Sequence, residues 1–160
     1  MSEYILPKHI QAMLDERERT MAAFTADYRP LNMYAIYRTD LHMDSHKLGA
    51  QLGHAYVNAW DNAKALRPEL VSQYKGTGNG TKIVMYGKNV RSLIVAYDEC
   101  KTLGIPCDLI IDRGHIYPPH FDGRPIITAL GIGPAYQDEV AHITKKFTMI
   151  KKEIKDIVMQ

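Results

Sequence analysis

Residues 38–55 read Arg-Thr-Asp-Leu-His-Met-Asp-Ser-His-Lys-Leu-Gly-Ala-Gln-Leu-Gly-His-Ala, a pattern that predicts the end of a strand followed directly by a helix. Within it, Lys47, Gln51 and His54 are spaced four and then three residues apart, so they share a helix face. A neighbouring stripe at helical spacing is apolar and consists of Leu48, Leu52, Ala55 and Ala59. The helix is therefore expected to carry a core-facing stripe beside a polar stripe with a cation, an amide and an imidazole.

The start of this helix places a cation where the helix disfavours one. Asp44 or Ser45 is expected to be the N-cap, since either side chain can accept from an unpaired backbone N–H group. Lys47 then falls in the first turn, where the helix dipole disfavours a positive charge by about 0.3–1 kcal/mol. Two interpretations stay open: a surface lysine that bends into water, or a lysine held at a site that uses its charge.

Length and composition predict one ordinary soluble globular domain. The chain has 160 residues and a formal net charge of +2, which is too small to argue for nucleic-acid binding by bulk charge. Its two cysteines, Cys100 and Cys107, favour reduced thiols in a cytoplasmic protein and give no zinc signature. Neither a membrane-spanning apolar run nor the layout of a signal peptide is expected from the sequence.

Strand and helix patterns alternate along the chain, which predicts a sheet with helices on both faces. Strands are predicted over residues 33–39, 82–86, 107–112 and 126–132, and helices over residues 6–27, 45–65 and 89–103, with a helical turn from Pro68 and a final helix from near Pro134. In such sheets ligands gather at the carboxyl ends of strands. Those ends hold the 38–47 segment, Asp112 and the turn at Gly114; Thr128 joins them only if the fourth strand runs antiparallel to the third.

Two further segments leave alternatives open. Residues 113–125 form a long loop with three prolines and two histidines, either a functional loop or a rigid surface insertion. In the final helix, lysines are concentrated beside apolar residues at three–four spacing, and they form either a solvated face or a phosphate-facing patch. The glycine-rich residues 76–80 lack the ending of a phosphate-binding loop and are expected to be a connector.

Taken together, these residues resemble the type II peptidyl-tRNA hydrolases. The matching blocks, in order, are Arg38-x-Asp40-Leu41-x-Met43, Lys47-x-x-Ala50-Gln51-x-x-His54-Ala55, Lys82 at the second strand, Asp112-x-Gly114, and Thr128-x-x-Gly131-Ile132-Gly133-Pro134. The resemblance implies a three-layer α/β/α domain around a four-stranded mixed sheet over residues 32–150. Outside it would lie a helical extension over residues 1–31 and a basic helical tail over residues 151–160.

The resemblance also implies an activity, a substrate and site residues. The family hydrolyses the ester bond of peptidyl-tRNA, which frees tRNA from stalled translation, and it needs neither metal nor cofactor. Carried over by position, Lys47, Asp112 and Thr128 form the reaction centre and His54 is a further catalytic candidate. The candidate substrate-binding residues are Arg38, Gln51, Lys82, Gly114 and His115.

Each of the three central residues suits ester hydrolysis. Asp112 can orient and partly deprotonate water, an effect typically worth about 10²–10⁴-fold. Lys47 can stabilise the negative charge that develops on the tetrahedral intermediate, which is worth about 10²–10³-fold. Thr128 can fix the water or the ester by hydrogen bonding. Neither cysteine has a His–Asp arrangement, and the chain lacks a Gly-x-Ser-x-Gly motif, so a covalent nucleophile is not expected.

One departure from the family pattern keeps a second function open. Where the family commonly has Asp-x-Gly-Arg-Thr, this chain has His115 and Ile116 after Gly114, so a hydroxyl is replaced by an alkyl group. His115, Tyr117 or His120 would then have to position the water. The alternative is a tRNA- or protein-binding module with weakened catalysis, and a further possibility is that the terminal helices bring two copies together as a homodimer.

Overall fold

The computed structural model describes residues 4–22 and 29–149. The elements in chain order are α1 (Lys8–Ala22), β1 (Leu31–Arg38), a 3₁₀ turn (Thr39–Leu41), α2 (Ser45–Leu66), α3 (Pro68–Gly76), β2 (Thr81–Gly87), α4 (Val90–Thr102), β3 (Cys107–Asp112), β4 (Ile116–Tyr117), β5 (Phe121–Asp122), β6 (Ile126–Tyr136), α5 (Gln137–Thr144) and β7 (Thr148–Met149). In this part of the chain, none of the helices has the length and apolar character that crossing a bilayer requires.

The central sheet is mixed and has the strand order β3-β6-β1-β2-β7. Strands β1 and β2 are parallel, whereas β6 runs antiparallel to both β1 and β3. The carboxyl ends of β1, β2 and β3 therefore lie on one edge of the sheet, together with the beginning of β6. Thr128 is predicted to join the residues at that edge only if its strand runs antiparallel to β3, and β6 does so.

Alternate residues of β1 contact two different cores, as the period of a strand requires. On one face, Met33 and Ala35 pack against apolar residues of α2 and α3. On the other face, Tyr34 and Ile36 pack in a cluster with residues of α4 and α5. The α/β class is thus confirmed, with a helical layer on each face of the sheet.

The prediction of four strands is wrong, because a fifth strand forms near the end of the described chain. Thr148 and Met149 pair with Tyr86 and Met85 of β2. The sequence instead predicts one helix that starts near Pro134 and continues through these residues. Strand β6 actually extends to Tyr136 because its last residues stay paired with β1, and this pairing overrides the helix-starting preference of proline. The predicted helix beyond Met149, including the basic tail, lies outside the described residues.

The other predicted elements differ little from the observed ones. Helix α2 ends one residue later than predicted, and β3 has the predicted bounds. The 113–125 segment is not an irregular loop, since it contains the antiparallel pair β4–β5. Helix α1 begins two residues later than predicted, and the last predicted residues of this helix, 23–27, fall outside the described ranges.

Close packing fixes the position of α2 over the sheet. A Cβ atom added at Gly131 of β6 would lie only 2.0 Å from the backbone oxygen of Ala55. The helix backbone therefore rests directly on the strand, and this contact requires glycine. Lys47 lies two helical turns before Ala55. The contact therefore also fixes how far the backbone of Lys47 lies from the sheet.

Candidate active site

Asp44 is the N-cap of α2, which decides between the two predicted candidates. Its carboxylate accepts from the backbone N–H groups of His46 and Lys47, both at 2.9 Å. These backbone hydrogen bonds, the bond from Lys47 above all, lower the pKa of Asp44. The cap fixes the first turn of the helix and thereby the backbone of Lys47.

The side chain of Lys47 turns inward and pairs with Asp112. The ammonium Nζ donates to Asp112 Oδ2 at 2.7 Å, and the two side chains are 9% and 19% exposed. The same ammonium lies 4.2 Å from the centroid of the Phe121 ring, which contributes a cation–π contact. Lys47 is therefore not a surface lysine that bends into water, which excludes the first of its two interpretations.

The turn after β3 brings His115 back to this pair. Gly114 adopts a left-handed φ of 74°, and its backbone N–H donates to Gly123 O at 3.0 Å. His115 Nδ1 then accepts from Lys47 Nζ. Because an ammonium can only donate, a neutral His115 carries its proton on Nε2 and can offer that N–H as a donor. Lys47, Asp112 and His115 form the candidate site of the reaction and are called the catalytic cluster below.

Thr128 and Gln51 form a buried hydrogen bond beneath the catalytic cluster. The Thr128 hydroxyl donates to Gln51 Oε1 at 2.6 Å, and both side chains are buried. Gln51 therefore belongs to the core-facing side of α2 and not to an exposed polar stripe. Gln51 lies one helical turn after Lys47. The hydrogen bond therefore holds the first turns of α2 against the start of β6.

Arg38 forms hydrogen bonds that link the end of β1, the 3₁₀ turn and the start of β6. Its guanidinium donates to both carboxylate oxygens of Asp40, at 3.0 and 2.8 Å, and to the backbone oxygen of Ile127 at 2.9 Å. The hydrogen bond from Arg38 is the main reason that the pKa of Asp40 is lowered. Arg38 thus fixes the end of β1 and the 3₁₀ turn against the start of β6.

Two predicted site residues lie apart from the catalytic cluster. His54 is exposed on α2, seven residues beyond Lys47, which is about 10 Å along the helix axis. Lys82 is at the beginning of β2, so it lies at the opposite edge of the sheet, where its ammonium donates to Asn79 O at 2.8 Å. The structure therefore brings together Lys47, Asp112 and His115 above Gln51 and Thr128, but not His54 or Lys82.

The sequence does not predict Phe121 as a site residue, although its ring packs against the ammonium of Lys47. Phe121 is buried, and its ring centroid lies 5.9 Å from that of His115. Nothing in the local sequence marks it, because its position depends on the hairpin formed by two-residue strands. Of the other groups considered for positioning water, Tyr117 stacks on His115 at 6.0 Å between centroids, and His120 lies 6.0 Å from His42.

The arrangement has the parts that ester hydrolysis uses. At this edge of the sheet, a fixed ammonium lies within hydrogen-bonding distance of both a carboxylate with further acceptor positions and an imidazole. The ammonium can stabilise a developing oxyanion while the carboxylate orients water. Within residues 4–22 and 29–149, no three His, Cys, Asp or Glu side chains are grouped so that they could hold a metal ion.

Comparisons with known proteins point to one family. A family profile described as peptidyl-tRNA hydrolase PTH2 matches residues 31–150. The chain is 32% identical to a peptidyl-tRNA hydrolase of Methanocaldococcus jannaschii over 114 residues, which cover 71% of this chain and 95% of that protein. It is 30% identical over 142 residues to the human mitochondrial peptidyl-tRNA hydrolase 2, covering 88% of this chain and 75% of the human protein. A relative from Methanococcus vannielii with the same name is 30% identical over 117 residues, or 72% of this chain and 95% of the relative.

Proposed function

Because this chain belongs to the peptidyl-tRNA hydrolase PTH2 family, we propose that it hydrolyses the ester bond of peptidyl-tRNA at the catalytic cluster and releases free tRNA and peptide. The single observation that carries the assignment is the 2.7 Å contact between Lys47 Nζ and Asp112 Oδ2. These residues are 65 positions apart in sequence. The fold brings both to the edge where strand ends meet and Thr128 lies below them.

In the proposed reaction, Asp112 orients a water molecule and accepts its proton as the oxygen attacks the ester carbonyl. Lys47 stabilises the oxyanion of the tetrahedral intermediate. Collapse of this intermediate breaks the bond to the 3′ oxygen of the tRNA, which takes up the proton. No covalent nucleophile is required, because the ester of an aminoacyl group with ribose is already reactive.

Except for His115, the remaining site residues act on position rather than on the reacting atoms. The hydrogen bond between Thr128 and Gln51 holds α2 against β6. Arg38 holds the end of β1 against the start of β6 by donating to the backbone oxygen of Ile127. Gly114 permits the turn that returns His115, whose Nε2–H is available to the leaving oxygen. His54 and Lys82 lie too far from Asp112 to share the reacting bond, so their part in hydrolysis would be contact with other regions of the substrate.

One observation favours a second candidate function, a binding module with weakened catalysis. Ile116 replaces a hydroxyl residue of the family pattern, and its side chain is 71% exposed. It offers no hydrogen bond to water at a position beside the cluster. We favour the hydrolase because His115 is hydrogen-bonded within the cluster and supplies a polar group one residue away.

Multiple-turnover hydrolysis of an N-acetylated aminoacyl-tRNA tests the proposal. The wild-type protein should release tRNA catalytically, and the rate should be unchanged by a chelator because Lys47 supplies the positive charge without a metal ion. Salt-sensitive tRNA binding without turnover would support the binding module instead. Loss of turnover on chelation, restored by a divalent cation, would overturn the metal-independent mechanism.

We further propose that the protein works in the cytoplasm, in the rescue of stalled translation, and that it can form a homodimer. The two thiols, Cys100 and Cys107, are buried and free, which is compatible with a reducing compartment. The apolar side chains of Met13 and Leu14 on α1 are exposed and offer a surface for a second copy. Imaging of a tagged full-length protein and sedimentation velocity test these two points; a mitochondrial signal or a concentration-independent monomer would contradict them.

A further inference from the structure

A second concave site lies on the face of the sheet covered by α2 and α3, at the edge opposite Asp112. Its cavity measures about 250 Å³ and opens beside the connector that joins α3 to β2. The side chains that shape it include three aromatic rings, those of Tyr56, Trp60 and Tyr74. Trp60 and Tyr74 have ring centroids 5.8 Å apart and planes tilted by 54°, so they form two walls of a cleft.

The size and walls of this cavity suit one flat ring system. Pockets that enclose drug-sized ligands measure about 300–1,000 Å³, and this one is smaller. Tyr74 is nearly fully buried, and its hydroxyl already donates to Thr81 O at 2.9 Å. Trp60 and Tyr56 are only partly buried. A planar group could therefore stack on the indole without displacing the core beneath it.

The rim of the cavity is cationic. Lys82 Nζ lies 5.3 Å from the centroid of the Tyr74 ring, and Lys75 occupies the last turn of α3 with an exposed side chain. The lining residues that the structure describes include neither aspartate nor glutamate. Charge complementarity therefore calls for an anion beside the stacked ring, and a nucleotide combines a planar base with a phosphate.

We propose that this cavity binds a single nucleotide unit of the tRNA, with the base stacked on Trp60 and the phosphate at Lys75 and Lys82. The choice of tRNA as the source of the nucleotide rests on the proposed function. Trp60 follows Lys47 by thirteen residues of α2, which is about 20 Å along the helix. The cavity would then bind the tRNA well away from the ester that is hydrolysed. In this arrangement Lys82, at the far edge of the sheet, contacts a phosphate of the tRNA and not the reacting bond.

Fluorescence of the single tryptophan provides a direct test. Full-length protein excited at 295 nm is titrated with cytidine 5′-monophosphate, adenosine 5′-monophosphate or uncharged tRNA. We expect saturable quenching by all three, with tRNA effective at a concentration at least about tenfold lower because it has other contacts to the protein. Lys75→Gln and Lys82→Gln should each weaken tRNA binding about tenfold, whereas the control Lys101→Gln, on α4 across the sheet, should not.

Several outcomes would overturn the proposal. Absence of quenching, or equal affinities of wild type, Lys75→Gln and Lys82→Gln, would exclude a nucleotide at this cavity. Quenching by mononucleotides but not by tRNA would assign the cavity to a free nucleotide instead. Quenching by N-acetylphenylalaninamide alone would assign it to an apolar peptide side chain.

Kinetics separate this proposal from the hydrolase assignment. With N-acetylated aminoacyl-tRNA, Lys82→Gln should raise KM about tenfold and change kcat by less than about twofold, because the lost contact is made equally in ground and transition states. A fall in kcat at unchanged KM would contradict a binding role. If the wild-type protein shows no hydrolysis, the proposed function fails, but the quenching by tRNA still decides whether the cavity binds nucleotides.

Discussion

Lys47 occupies a position that costs stability, and several contacts around its ammonium offset that cost. A cation in the first turn of α2 opposes the helix dipole, and burial of an ion pair brings a desolvation penalty. Asp112, His115 and the ring of Phe121 surround the ammonium and offset these costs. A buried pair of this kind is expected to add little to stability, and the close contacts that hold it are compatible with the proposed role in hydrolysis.

The ion pair of Arg38 and Asp40 should give the protein a pH-dependent part of its stability. Arg38 lowers the pKa of Asp40, so the pair stabilises the fold above the ordinary value of 3.8 and loses this effect as pH falls through the lowered value. Asp40 is 39% exposed, which limits the effect through solvent screening. Asp40→Asn should lower the free energy of unfolding by about 0.5–1 kcal/mol at pH 7.

Denaturant titrations at pH 7 and at about pH 3 check this prediction. The difference between wild type and Asp40→Asn should shrink at the lower pH. The control Asp61→Asn, which removes an exposed pair with Lys64 on α2, should have a smaller effect. An equal difference at both pH values would show that the pair does not titrate as described.

Thr128 should matter first to the packing beneath the catalytic cluster. Thr128→Val keeps the shape of the side chain but removes the hydroxyl that donates to Gln51, which leaves a buried amide oxygen without this donor. We expect a loss of about 1–3 kcal/mol in the free energy of unfolding. Thr128→Ser should recover most of the loss, as measured by thermal or denaturant unfolding. A valine variant as stable as wild type would mean that Gln51 finds another donor.

At the scale of elements, the contact between α2 and β6 controls the position of Lys47. Gly131→Ala places a Cβ atom 2.0 Å from the backbone oxygen of Ala55, so helix and strand must separate. We expect a large fall in melting temperature and reduced kcat, since the helix carries Lys47 away from Asp112. Differential scanning calorimetry and the hydrolysis assay measure the two effects.

Gly53 provides the matched control on the same helix. A Cβ atom there meets nothing within 4 Å, and the residue is exposed in the middle of α2. Gly53→Ala should raise the free energy of unfolding by about 0.5–1 kcal/mol, because alanine loses less backbone freedom on folding. If Gly131→Ala is tolerated as well as Gly53→Ala, the helix does not rest on the strand as described.

Elements with several consistent local signals were predicted well, and those that depend on distant pairing were not. Helix α2 has a capping residue at Asp44 and a long apolar period, and its predicted bounds differ from the observed ones by one residue. The strand Thr148–Met149 and the hairpin Ile116–Tyr117 with Phe121–Asp122 each contain only two residues per strand. Such strands have no periodicity of their own, and only their partners make them strands.

At the scale of the whole molecule, the topology decides which predicted site residues meet. The antiparallel course of β6 brings Thr128 beneath Lys47 and Asp112, and the sequence could state this only as a condition. Helical spacing placed His54 with Lys47, but the buried face of α2 passes through Gln51 and leaves His54 exposed. Lys82 is at the far edge because β2 is parallel to β1 and begins where β1 begins.

The same topology separates the two proposed sites along one helix. The N-terminal turn of α2 carries Lys47 of the catalytic cluster, and Trp60 of the aromatic cavity lies thirteen residues later. A rigid helix fixes the distance between the two sites. A substrate with an ester at one end and nucleotides beyond it could engage both, which is the arrangement that the proposals require.

Hydrolysis of N-acetylated aminoacyl-tRNA tests the proposed roles of Lys47 and Asp112 most directly. The variants to compare are Lys47→Met, Asp112→Asn and the double variant, with Lys145→Met as the charge-matched control. Circular dichroism checks that each variant is folded. Each single variant should lower kcat by about 10²–10³-fold, because each removes one of the two groups at the reacting ester. The double variant should be little slower than the slower single variant, since the two residues act as a unit. If both single variants fold and hydrolyse the substrate at the wild-type rate, Lys47 and Asp112 do not act at the reacting ester.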